Sequence, residues 1–139
     1  MLKTKLLHPE ILGVLGQCGH FSRVLIADGN YPFATMTLPA TRKVYLNLTP
    51  GIPTVSDVLE ALVATVPIQS AMVVSPPDDS FREIHREYAR ILPPETPMEE
   101  KERFAFYNEV KSTDTALVIA TADIRRFANL LITIGVVRL

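Results

Sequence analysis

The run Val24-Leu25-Ile26-Ala27, stopped at Asp28-Gly29, decides the fold class. Four consecutive apolar residues, three of them branched, suit a strand covered on both faces. A strand covered on both faces needs helices above and below it. Upstream, Pro9 suits a first helical turn, Ile11, Leu12, Val14 and Leu15 supply an apolar face, and Gly19 can end the helix in a left-handed conformation. Downstream, Gly29 to Ala40 holds Gly29, Asn30, Pro32 and Pro39 without periodicity, a long loop of the kind that carries function.

The same alternation continues along the chain. Val44, Leu46 and Leu48 alternate with Lys43, Tyr45 and Asn47, a second strand closed by Pro50-Gly51. Thr54 caps a helix from Val55 to Val66, with Asp57 three residues on and Pro67 as its stop. Ala71 to Val74 is a third strand. Ser80 caps a helix from Phe81 to Leu92, with Phe81, Ile84, Tyr88 and Ile91 on one face. Thr96, Pro97 and Glu99 combine a cap, an N1 proline and a capping-box carboxylate, predicting a helix from there to about Lys111. Ala116 to Ala120 is a further strand, and Phe127 to Val137, rich in β-branched residues, is the last. Strands alternating with helices require crossover connections, so the expected class is α/β, a mainly parallel sheet with helices on both faces in one domain over residues 1–139.

Composition removes several function classes. Fourteen Lys+Arg against fifteen Asp+Glu leave a formal charge of -1, with no basic stripe, so no nucleic-acid partner is expected. Cys18 is the only cysteine, which excludes an intramolecular disulfide and a clustered zinc site. Met1-Leu2-Lys3-Thr4-Lys5 leads to His8-Pro9-Glu10 rather than to a long apolar region, and no apolar run reaches membrane-spanning length. The expectation is a cytoplasmic protein with no membrane partner. Hydrophobic residues make up 47% of the chain, high for a small domain, so part of its surface is expected to lie between subunits.

In open α/β sheets ligands bind beyond the carboxyl ends of the strands. Strand one ends at Asp28 and the strand before the last at Thr121-Ala122-Asp123, while His20 lies in the turn feeding strand one. Imidazole exchanges protons near neutral pH, and a carboxylate beside it can fix a tautomer or bond a hydroxyl. The bland alternative is a helix-end histidine and a turn-forming aspartate. His8 and His85 read as solvated surface residues, Cys18 as a structural thiol, Arg103 as a partner for Glu99 or Glu100, and Arg125-Arg126 as a subunit contact or a solvated turn. Phe104, Phe106 and Tyr107 read as core or interface packing.

Beyond these readings, the sequence resembles a family, the small sugar mutarotases that comprise the ribose pyranases and fucose mutarotases, once described as transport proteins. The likeness runs through Gly19-His20, Leu25-Ile26-Ala27-Asp28-Gly29-Asn30-Tyr31-Pro32, Arg103-Phe104-Ala105-Phe106-Tyr107, Ala120-Thr121, Phe127-Ala128-Asn129-Leu130-Leu131 and Gly135-Val136. It covers nearly the whole chain. The resemblance implies a cofactor-free isomerase that interconverts anomers or ring forms of a free monosaccharide. It also implies a homo-oligomeric ring, commonly a decamer, which would use the apolar surface. By residue, it implies His20 as catalytic acid/base, with Asp28, Arg103, Phe127 and Asn129 binding the sugar. The Arg103 to Tyr107 segment resembles the fucose branch, making L-fucose the first expected substrate and D-ribose the second.

Two positions depart from the family pattern. Thr121-Ala122-Asp123 stands where the family shows Thr-Gly-Glu, and Phe127 where it shows a tyrosine. Phenylalanine keeps the ring but loses the hydroxyl that could bond a sugar or carry a proton. A sugar-binding protein without turnover is therefore the rival expectation, and an oligomeric scaffold without a small ligand ranks behind both.

Overall fold

The computed structural model describes residues 1–139. Its elements are α1 (Pro9–Leu15), β1 (Arg23–Ala27), β2 (Arg42–Tyr45), α2 (Val55–Val63), β3 (Ile68–Val74), α3 (Glu83–Ile91), β4 (Met98–Lys101), α4 (Arg103–Val110), β5 (Thr115–Ala120) and β6 (Leu130–Ile134). The six strands form one sheet in the order β2-β5-β1-β6-β3-β4. Strand β5 runs parallel to β1 and β2, and β4 parallel to β3, whereas β6 is antiparallel to both β1 and β3. The sheet is thus mixed and mostly parallel, as the alternation of strands and helices predicts.

The pleat sends alternate residues of β1 to opposite faces, and both faces are covered. Val24 and Ile26 join the larger apolar cluster, with Ile11 of α1, Leu59 and Leu62 of α2 and Tyr88 of α3. Leu25 and Ala27 join a smaller one, with Phe106 and Val110 of α4 and Tyr31 from the loop after β1. Helices α1 to α3 therefore cover one face, and α4 with that loop covers the other.

Several expected boundaries shift. Helix α1 ends at Leu15, with Gly16 rather than Gly19 as its C-cap, and the His8 side chain accepts from Ile11 N–H at its start. Helix α2 keeps the Thr54–Asp57 capping box but closes at Val63. Residues 79–81 form a separate 3₁₀ turn capped by Asp78, so Ser80 does not cap α3. The helix expected from Thr96 is a larger correction. Met98–Lys101 pairs in parallel with Ala71–Val74, and α4 starts only at Arg103, where the Glu102 carboxylate accepts from Phe104 and Ala105 N–H. The backbone of β3 had an open edge there, and pairing with it overrides the helical preference of Met-Glu-Glu-Lys. The charged side chains of the new edge strand also discourage further pairing. The last strand is shorter than expected as well, because Phe127 adopts φ +61°, outside the extended region.

Candidate functional site

The antiparallel setting of β6 puts its first residues at the same edge of the sheet as the last residues of β1, β3 and β4. Asp28 follows β1, Val74 ends β3, Arg103 follows β4 and opens α4, and Asn129 precedes β6. These four, with Asn30, Tyr107, Arg126 and Phe127, line a depression of about 220 Å³. Four of the five residues expected at the site are therefore together.

Asp28 and Asn129 form its floor. The Asn129 side-chain carbonyl accepts from Asp28 N–H at 2.8 Å, leaving its amide group for the pocket. Asp28 Oδ1 accepts from Asn30 N–H at 2.9 Å, an Asx turn that aims the carboxylate. Only 5% of Asp28 is exposed. Burial pushes its carboxyl up to about 6, opposed by the Asn30 N–H and reinforced by the negative charge of Asp123. Gly29 is fixed by packing, since a Cβ there would lie 3.2 Å from the Asp123 carbonyl oxygen.

The wall at Phe127 is held from behind by two side chains of α3 that the sequence reading did not assign to the site. His85 Nε2 lies 2.8 Å from the Phe127 carbonyl, and the Tyr88 hydroxyl donates to the Ala128 carbonyl at 2.7 Å. His85 is 6% exposed, not a surface residue. Its i, i+3 spacing with Tyr88 was the available signal. Burial lowers its pKa, so the neutral ring donates from Nε2–H while Nδ1 is buried without a partner. Arg125, expected as a contact or a solvated turn, instead bonds Asp123 and Glu87 at 2.7 and 2.9 Å. Asp123 is buried, which works against its charge, but Arg125 and the Val55 N–H at the start of α2 hold its carboxyl below the usual range. This ion pair ties the segment carrying Arg126, Phe127 and Asn129 to α2 and α3.

Arg103 makes no ion pair with Glu99 or Glu100; Glu100 bonds Arg82 and Glu99 bonds Lys101. Phe104 is exposed, Phe106 is core and Tyr107 lines the pocket. The Tyr107 ring meets Tyr31 edge-on with centroids 5.3 Å apart. It gives the pocket a tyrosine that the Phe127 position lacks.

His20 is elsewhere. It precedes β1, at the opposite end from Asp28, and the five-residue strand alone spans roughly 16 Å. Its ring stacks on Phe21 with centroids 3.8 Å apart, and its Nε2 lies 2.7 Å from Gln69 Oε1. Both His20 and Phe21 are exposed. Within one chain, then, the expected acid/base and the expected sugar ligands do not meet. No three His, Cys, Asp or Glu side chains are grouped as a metal ion requires. No helix is long and apolar enough to cross a membrane.

Residues 1–137 match the profile of the family described as the RbsD / FucU transport protein family. The D-ribose pyranase of Paracidovorax citrulli is 26% identical over 136 residues, covering 98% of each chain. That of Enterococcus faecalis is 28% identical over 145 residues, covering 99% of each. Among solved structures, RbsD of Bacillus subtilis complexed with D-ribose superposes with a TM-score of 0.86 at 22% identity, over 99% of this chain and all (100%) of that one. The Streptococcus pneumoniae fucose mutarotase in complex with L-fucose gives a TM-score of 0.76 at 19% identity, over 99% of this chain and 100% of the other. At those identities the superpositions establish the fold.

Proposed function

Since the chain belongs to the RbsD / FucU family, we propose that it is a mutarotase, a cofactor-free isomerase that interconverts anomers or ring forms of a monosaccharide. The observation that carries the reading is the convergence of Asp28, Arg103 and Asn129 on one depression, from three separate elements. Asp28 accepts sugar hydroxyls, Arg103 and the Asn129 amide donate to them, and the ring of Phe127 packs on the apolar side of the sugar. Ring opening needs one proton delivered to the ring oxygen and another taken from the anomeric hydroxyl. Imidazole can do both, and acid/base help of this kind is worth roughly 10² to 10⁴ in rate.

His20 is the proposed acid/base, and its position sets a condition. It can reach a bound sugar only from an adjoining copy of the chain, so the proposed active unit is a homo-oligomer, a ring such as a decamer, in the cytoplasm. The exposed His20–Phe21 pair supports this, because a stacked aromatic platform at the surface is suited to being covered.

The test is NMR saturation transfer between anomers of L-fucose, favoured by the Arg103 to Tyr107 segment, and of D-ribose, the sugar named in the relatives. The wild type should enhance exchange. His20→Ala and Asp28→Ala should each abolish it, while a mixed assembly of the two should regain part of it. Loss in both variants without recovery on mixing would refute a shared site. The rival reading, a sugar binder without turnover, is favoured by the missing hydroxyl at Phe127. It predicts binding without exchange in the wild type and exchange gained in Phe127→Tyr.

A further inference from the structure

The sugar pocket does not end at Phe127. A second depression of about 450 Å³ continues from it towards Ser75 and Pro77, and the two share Val74, Arg103, Arg126 and Phe127. Arg103 and Arg126 stand where the two meet, and neither has a carboxylate partner in the chain. Their neighbours differ in this respect. Arg82 bonds Glu100, Arg86 bonds Asp79, and Arg125 bonds Asp123 and Glu87. The one acid in the outer depression, Glu102, is committed to the N–H groups of α4. The acid of the outer depression is therefore used, Asp28 lies on the inner side among the groups that face the ring, and two guanidinium groups are left over where the depressions meet.

Arg126 is also held in place. Its guanidinium carbon lies 4.9 Å from the ring centroid of Phe81 and 5.3 Å from that of Phe127, rings that meet edge-on at 5.1 Å. Contact with aromatic rings holds a guanidinium without consuming its N–H donors, which stay available to an oxygen anion in the fork geometry that suits phosphate and carboxylate. One guanidinium, that of Arg103, serves the ring hydroxyls of a neutral sugar; the second, held beside it, is in excess of that need.

We propose that the preferred ligand of this groove is a monosaccharide bearing an anionic substituent outside its ring, a phosphate ester or a carboxylate, held by Arg103 and Arg126 while the ring occupies the Asp28–Asn129 pocket. This deepens the mutarotase reading by naming its substrate class, and rests on that reading only for what happens to the ring. Isothermal titration with two matched pairs tests it: D-ribose against D-ribose 5-phosphate, and D-galactose against D-galacturonate. In low salt at least one anionic member should bind about tenfold tighter than its neutral partner, and the preference should shrink as salt screens it. A gain confined to the phosphate ester assigns the phosphate class, and one confined to the uronate assigns the carboxylate class. Arg126→Gln and Arg103→Gln should each return the ratio of the two affinities towards one, with circular dichroism confirming an intact fold.

A ratio near one in the wild type, or a ratio unchanged in both variants, overturns the proposal. Dissociation of the oligomer in Arg126→Gln with no change in the ratio also overturns it, because Arg126 would then serve a neighbouring copy. Anomer exchange on neutral sugars with a ratio near one removes this inference and leaves the mutarotase standing. Anion-dependent binding without exchange does the reverse.

Discussion

Replacing Asp28 by Asn removes a buried charge while keeping the oxygen that accepts from Asn30 N–H. The Asp28 carboxyl is raised from about 3.8 to about 6 in the fold, chiefly by burial. An acid whose pKa is higher folded than unfolded binds more protons in the folded state between those values. Stability from this group is therefore present below about pH 4 and is lost as pH rises through about 6. Two pH units at 1.36 kcal/mol each give a ceiling of about 3 kcal/mol, of which local relaxation leaves about 1 to 3. Asp28→Asn should therefore be more stable than wild type at pH 8 by that amount, and the advantage should vanish near pH 4. For a chain of this length that is a rise of roughly 4 to 10 °C in Tm. Urea unfolding followed by tyrosine fluorescence is suited to the comparison, as the chain has four tyrosines and no tryptophan. Protein concentration must be held fixed, because assembly shifts apparent stability. The same substitution should abolish sugar binding at every pH. A variant less stable than wild type at pH 8, or a difference that does not change with pH, would refute the assignment of Asp28 as an uncompensated charge maintained for a ligand.

Three further substitutions probe the supports of the site. His85→Leu leaves the Phe127 carbonyl without its donor and should cost about 1 to 3 kcal/mol in urea unfolding, with His85→Gln recovering part of the loss; wild-type stability conferred by neutral His85 should fall as pH drops through about 6.5, since its folded pKa is lowered. Arg125→Met strands the buried Asp123 carboxylate and should cost about 3 kcal/mol, discounted for the partial exposure of Arg125, whereas Asp123→Asn added to it should restore most of the loss, as thermal unfolding would show. Gly29→Ala sets a Cβ 3.2 Å from the Asp123 carbonyl, so the Asp28 turn must move, and sugar affinity measured by titration should drop more than Tm does.

The class of fold was readable because β1 is an uninterrupted apolar run and because Thr54 and Asp57 mark the start of α2 by their own chemistry. Strand β4 was hidden, since Met98-Glu99-Glu100-Lys101 has the composition of a helix and becomes a strand only through the open edge of β3. The direction of β6 was equally hidden, as Leu130 to Ile134 is apolar whichever way it runs. At the site, Asp28 could be found from its place at a strand end, but Arg103 and Asn129 were legible only through the family resemblance, because a side chain brought in by a distant element leaves no local pattern. His85 was misread because it flanks, rather than continues, the apolar stripe of α3. The separation of His20 from Asp28 follows from their places before and after one strand, and that much was in the sequence from the start.

Strand β6 is the only link between the β2-β5-β1 half of the sheet and the β3-β4 half, and it comes last in the order of synthesis. On a ribosome, both halves can begin to pair while the seam between them stays open. Val24, Ile26, Ala71 and Val73 then wait without the Leu130 and Ile132 they pack against, until residue 134 has cleared the exit tunnel. Closure of the sheet thus waits for its final strand. Since Asn129 arrives with the same strand, a nascent chain has no complete Asp28–Asn129 pocket until its sheet is joined.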